Sequence, residues 1–96
     1  MRIAVDVCMG SAGVNLIRWF DHKVLEAEHG ERDRDWLERA RVFGVELLVS
    51  TDSDIEIYAY DNRIPYVRAR MGESGTKLAQ RVLNGIARKT RAQASL

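Results

Sequence analysis

Short apolar runs alternate along this chain with stretches whose apolar residues recur at helical spacing, and that alternation restricts the fold more than any other property of the sequence. The runs are Arg2 to Val7, Lys23 to Ala27, Glu46 to Ser50 and Ile64 to Ala69. The first and third are mostly apolar and often β-branched, as expected of strands covered on both faces. Between the first two runs, Gly10-Ser11-Ala12-Gly13 breaks the chain, and Val14, Ile17, Trp19 and Phe20 follow a helical pattern capped near Ser11. Trp36, Leu37, Ala40 and Phe43 form the next helix, with Asp33 placed to cap it and Gly44 to end it. Ile55 to Tyr60 alternates as a strand would, yet Ser53 and Glu56 have capping-box spacing and a further strand begins at Pro65, so a short helix is expected here. Leu78, Val82, Leu83 and Ile86 mark an amphipathic terminal helix after Gly72-Glu73-Ser74-Gly75.

The implied order, β-α-β-α-β-α-β-α, has connections too short for separate domains. It predicts a three-layer α/β/α sandwich with a mostly parallel sheet of four or five strands, forming one domain over residues 1–90. Residues 91–96 are expected to be a frayed basic tail. Ligands of such sheets bind beyond the carboxyl ends of the strands. No apolar run approaches the roughly 18 residues of a membrane span, and the N-terminus has no basic segment leading into an apolar one, so a cytoplasmic location is expected. Cys8 is the only cysteine, which excludes an internal disulfide and a cysteine-type zinc site; a buried, inert thiol is the expected state.

The net charge of +1 conceals a division. From Met1 to Asn62 there are thirteen acidic and seven basic residues; from Arg63 onward Glu73 stands alone against eight basic residues. An acidic portion suited to cations is joined to a basic portion suited to phosphates, or to the acidic face of a partner.

Asp6 stands at the end of an apolar run, where a charge is costly unless it is paired, solvated or liganded. Asp52 and Asp54 follow the clearest strand, in Val49-Ser50-Thr51-Asp52-Ser53-Asp54. If the two runs are neighbouring parallel strands, these acids meet at one sheet edge, and their mutual repulsion is best relieved by a divalent cation. Capping of the following helix is the competing role for one of the pair. Asp33 is the next candidate, with Asp35 and Glu38 as alternative acids on the same helix.

In these residues the chain resembles a compact PIN-like nuclease domain, of the type found in toxin–antitoxin pairs and RNA processing. The resemblance covers residues 1 to about 70. It rests on Ile3-Ala4-Val5-Asp6, on Asp33-Arg34-Asp35-Trp36-Leu37 with Ala40 following, and on a strand running into Thr51 and the aspartates at 52 and 54. Their order and spacing carry it. The resemblance implies a metal-dependent endoribonuclease with Asp6, Asp52 and Asp54 holding Mg²⁺ or Mn²⁺ and Asp33 completing the catalytic acids. Arg63, Arg68, Arg70, Lys77 and Arg81 would contact RNA phosphates. An antitoxin-like protein partner and a homodimer fit the same reading. The chain departs from the pattern at Val7-Cys8, where an acid or amide is usual, and at Ile55, where an aromatic is usual. A rival reading is a worn PIN-like interaction module that binds protein or nucleic acid without cleaving it.

The remaining features carry less. Cys8 precedes a glycine-containing loop, but no arginine closes an anion loop of phosphatase type. His22 and His29 flank a strand in polar surroundings. Trp19, Trp36, Tyr58, Tyr60 and Tyr66 are expected to fill the core.

Overall fold

The computed structural model describes the backbone of residues 1–94 and the side chains of residues 1–89. Its elements are β1 (Arg2–Val5), α1 (Gly10–Trp19), β2 (Lys23–Glu26), α2 (Asp33–Phe43), β3 (Leu47–Ser50), α3 (Ser53–Asp61), β4 (Tyr66–Arg68) and α4 (Gly75–Ala94). The strands form one four-stranded sheet in the order β2-β1-β3-β4, and every neighbouring pair is parallel. A parallel neighbour is reached only by a crossover, so the intervening helices pass over the faces of the sheet. The α/β class and the short helix at α3 are as expected. Of the tail expected at 91–96, the last two residues and all side chains lie outside the described residues.

Side chains two apart on a strand share a face. Ile3 and Val5 of β1 and Leu47 and Val49 of β3 pack with Val14 and Ile17 of α1 and Leu78, Ala79 and Val82 of α4. Ala4 and Leu48, aligned in the β1–β3 register, face the other way, against Trp36 and Ala40 of α2 and Ile55 and Ala59 of α3. Each fully buried isoleucine or leucine in these layers contributes about 1.5–3 kcal/mol. The same alternation puts Ser50, the last residue of β3, in line with Leu48 and, carried one residue past β1, Asp6 in line with Ala4, on the side of α2 and α3.

Two glycines allow the start of α4 to lie against the entry of α1. A Cβ at Gly75 would fall 1.6 Å from the Met9 carbonyl oxygen, and one at Gly13 would fall 2.7 Å from the Gly75 carbonyl oxygen. At the far end of α2, Gly44 takes the left-handed conformation, φ 78°, while its N–H bonds the Arg41 carbonyl and the Val45 N–H bonds that of Ala40. This paired closure ends the helix where the sequence predicts.

The structure corrects several local expectations. Helix α1 starts at Gly10 and its N-cap, Met9, makes no side-chain capping bond, so Ser11 lies inside the helix. Arg32 is the N-cap of α2 and Asp33 is its first residue, which leaves the Asp33 carboxyl unused as a cap. Asp52, not Ser53, caps α3. Trp19 and Tyr60 are each 84% exposed, because Trp19 closes α1 beyond its buried stripe and Tyr60 lies on the outer face of α3. Cys8 is exposed as well, since it sits in the loop at the sheet edge rather than in β1.

The loop before α4 is fixed by charge. Arg81 Nε donates to Glu73 Oε2 at 2.6 Å and Nη2 to Oε1 at 2.7 Å. These bonds, with the Arg70 N–H, hold the Glu73 carboxyl down to about 2. The folded chain thus gives up this proton more readily than the unfolded one. The resulting stabilisation is complete above the ordinary value of 4.5, declines below it and is lost as pH falls through about 2. In urea titrations the stability gap between the wild type and Glu73→Gln should be steady at neutral pH, narrow below 4.5 and close near 2.

Candidate functional site

Strand order reverses between β1 and β3, because the chain leaves β1 toward β2 on one side and returns to β3 on the other. Such a switch point opens a crevice at the carboxyl ends of the two strands. Asp6 follows β1 and Asp52 follows β3, so both acids border it. Helices that alternate with parallel strands start at this same edge, and their N-terminal dipoles favour negative charge there.

Ser50 organises the crevice. It is fully buried, its hydroxyl donates to Asp6 Oδ2 at 2.9 Å, and it accepts from the Asp52 N–H at 3.0 Å. One hydroxyl thereby fixes an acid after β1 and the loop after β3. The Asp52 Oδ1 accepts the Asp54 N–H at 2.8 Å, leaving its second oxygen outside the cap. The Tyr66 hydroxyl lies 3.0 Å from the Ser50 carbonyl oxygen and 3.2 Å from that of Asp52, which ties β4 to the same loop.

The acids interact in the way expected of converging carboxylates. Burial pushes the Asp6 carboxyl above its ordinary value, against the lowering effect of the Ser50 bond, and the charges of Asp33 and Asp52 push it further. The Asp33 carboxyl is raised too, by desolvation first, then by hydrogen-bonding contact with Asp52 and by the charges of Asp52 and Asp54. Asp6, Asp33 and Asp52 thus lie near one another, but only Asp6 and Asp33 line the adjoining cleft, and Asp52 and Asp54 do not. Asp54 is exposed in the first turn of α3 and reaches the group through Asp33. Asp35 also lies in the first turn of α2, whereas Glu38 is bound by Arg41 through two hydrogen bonds.

Two buried polar atoms near the rim lack a hydrogen-bond partner, Asp6 Oδ1 and Trp36 Nε1. Both residues line a cleft of about 440 Å³, together with Cys8, Asp33 and residues 26–31. Its charged walls are acidic, although Glu31 is neutralised by Arg39 at 2.6 Å. Among the described residues, no group of three or more His, Cys, Asp or Glu side chains is placed to hold a metal ion.

The basic candidates separate. Arg68, Arg70 and Arg81 line a second cleft of about 410 Å³ beside β4 and α4. Arg63, in a left-handed turn with φ 57°, precedes β4 and so lies toward the opposite end of the strand from the acids. Lys77 is exposed in the first turn of α4, outside that cleft. Sequence reasoning missed Ser50, Trp36 and Arg88 as site residues. A serine ending an otherwise apolar strand, two residues before an acid, was the available signal for the first. Among the described residues no helix is long and apolar enough to cross a membrane. No family model, curated protein or solved structure matches the chain.

Proposed function

We propose that the chain is a metal-dependent ribonuclease of compact PIN-like type, hydrolysing RNA phosphodiester bonds at the rim of Asp6, Asp33 and Asp52. The observation that carries this reading is Asp6, whose carboxylate has one oxygen fixed by Ser50 and the other buried without a partner. A desolvated oxygen left in that state costs about 1–3 kcal/mol, more when charged, and coordination to a cation relieves it. The neighbouring acids suit the same ion. Mg²⁺ and Mn²⁺ need only one or two carboxylates when water and substrate phosphate complete the shell, so an open rim fits them better than a cage would.

Asp6 and Asp52 would hold the ion, with Asp54 acting through water. When bound, the ion neutralises phosphate charge and lowers the pKa of a coordinated water. The chain's own contribution is positional. Ser50 sets the distance between the acids after β1 and β3, and Asp33 faces the pair from α2, where it can orient the attacking water. Hydrolysis adds that water across the phosphodiester, leaving a phosphate monoester on one fragment and a hydroxyl on the other. A cytoplasmic toxin with an antitoxin-like partner, and self-association into a homodimer, belong to this reading.

The test is cleavage of labelled RNA with Mn²⁺ by the wild type, Asp6→Asn and Asp52→Asn. Each substitution should slow cleavage by at least about 100-fold, the rate equivalent of the several kcal/mol a positioned ion supplies. Intact RNA in every metal condition, with the wild type folded, would overturn the hydrolytic reading in favour of a non-cleaving module.

A further inference from the structure

The second cleft has a construction that the acidic rim does not explain. Its wall on α4 is Arg81, Asn84, Gly85 and Arg88, spaced to share one helical face, and its wall on the sheet is the edge strand β4 with Arg68 and Arg70. Four of its lining residues are arginines and none is acidic. Arg68 and Arg81 are held in place: Arg68 donates to the Thr51 carbonyl and the Ser53 hydroxyl, each at 3.1 Å, and Arg81 is clamped by Glu73 while donating to the Arg68 carbonyl at 2.7 Å. Arg70 and Arg88 are exposed and form no ion pair among the described residues.

Gly85 supplies an independent observation. A glycine inside a helix costs about 1 kcal/mol relative to alanine. Gly75 and Gly13 occur where a side chain would collide, but a Cβ at Gly85 would meet nothing within 4 Å, and its φ is not positive. Neither packing nor backbone conformation calls for glycine here. What its missing side chain leaves is space in the cleft between Arg81 and Arg88.

We infer that this cleft is a seat for the backbone of single-stranded RNA, with Arg70 and Arg88 binding successive phosphates and Gly85 admitting the chain. Charge complementarity selects a polyanion, and guanidinium groups match phosphate geometry in pairs of hydrogen bonds. The cleft adjoins the acidic rim. Arg68 bonds the Thr51–Ser53 loop from one side and Tyr66, another lining residue, bonds the Ser50 and Asp52 carbonyls. A strand seated here leads toward Asp52; the choice of RNA and this direction of travel rest on the hydrolytic reading of the rim, and the binding of a phosphate backbone does not.

Binding is measured without divalent ions, by fluorescence anisotropy of a short labelled oligouridylate titrated at several salt concentrations in EDTA. The wild type should bind with a steep salt dependence. Arg70→Gln combined with Arg88→Gln should weaken binding by at least about tenfold and lessen the slope of log K against log salt by about 1.4, the loss of two phosphate contacts. Gly85→Gln should weaken binding comparably while melting no lower than the wild type, so that misfolding cannot account for the loss. Unchanged affinity and slope in both variants would overturn the inference. So would tighter wild-type binding of polyglutamate than of oligouridylate, which would assign the cleft to an acidic polypeptide. If RNA is bound through the arginines but never cut with Mn²⁺, the cleft stands and the hydrolytic reading falls; if RNA is cut and the cleft variants bind normally, the reverse holds.

Discussion

Gly75→Ala should remove about 3 kcal/mol or more of the protein's stability, whereas Gly85→Ala, the same change ten residues further along α4, should stabilise it. A methyl group at position 75 would lie 1.6 Å from the Met9 carbonyl oxygen, less than half a normal contact distance, and the obstacle is backbone rather than a side chain that can swing aside. Relief requires α4 to move away from α1, pulling Leu78, Ala79 and Val82 from the core they share with Val14 and Ile17. Overpacking of a well-filled core costs about 1–3 kcal/mol, and a rigid collision should reach or exceed the upper end. A chain of this length has about 5–14 kcal/mol of stability in total. At Gly85 a methyl meets nothing within 4 Å and the gain is the helix-propensity difference of about 1 kcal/mol. Urea denaturation of both variants checks the pair. A Gly75→Ala protein as stable as the wild type would show that the approach of α1 and α4 is looser than described.

Mn²⁺ should raise the melting temperature steeply, and Asp6→Asn should remove that response while making the metal-free protein no less stable. Asp6 and Asp33 hold their protons more tightly when folded than when unfolded. As pH rises above the ordinary value of 3.8, the unfolded chain ionises first and these groups oppose folding. At neutral pH the cost persists, and under the proposed function a bound cation would offset it. With free ion at about 100 times its dissociation constant, binding adds about 2.7 kcal/mol, or roughly 10–20 °C for a domain this size. Asparagine keeps an oxygen to accept the Ser50 bond but carries no charge to be desolvated. In EDTA, Asp6→Asn should therefore melt at or above the wild-type temperature. A wild-type melting point unmoved by saturating Mn²⁺, or an equal rise in Asp6→Asn, would remove the cation from the proposal.

The sandwich was legible because its signals are periodic. Ile3-Ala4-Val5 and Leu47-Leu48-Val49 could be buried on both faces only as inner strands, and the helical spacing of Trp36 and Ala40 needed no tertiary information. Asp6 and Asp52 stood out for a related reason, as charges at the margins of apolar runs. What the residues could not reveal alone is orientation. Arg63 and Arg68 look alike in sequence, but β4 runs between them and sends them toward opposite ends of the sheet. Arg88 belongs with Arg81 only because that face of α4 is the one turned to β4. Trp19 follows Ile17 by only two residues, which turns it to the opposite side of α1 and leaves it in solvent. Ser50 read as the last residue of a strand, and its role emerges only when β1 lies beside β3.

The Ser50–Asp6 bond joins residues 44 positions apart. Ser50 and Asp52 reach Asp6 only when β3 lies beside β1, so the acids stay apart until the two inner strands have paired. Under the proposed reading, a nascent or partly unzipped chain is harmless to the transcripts around it, and activity begins when the two inner strands dock.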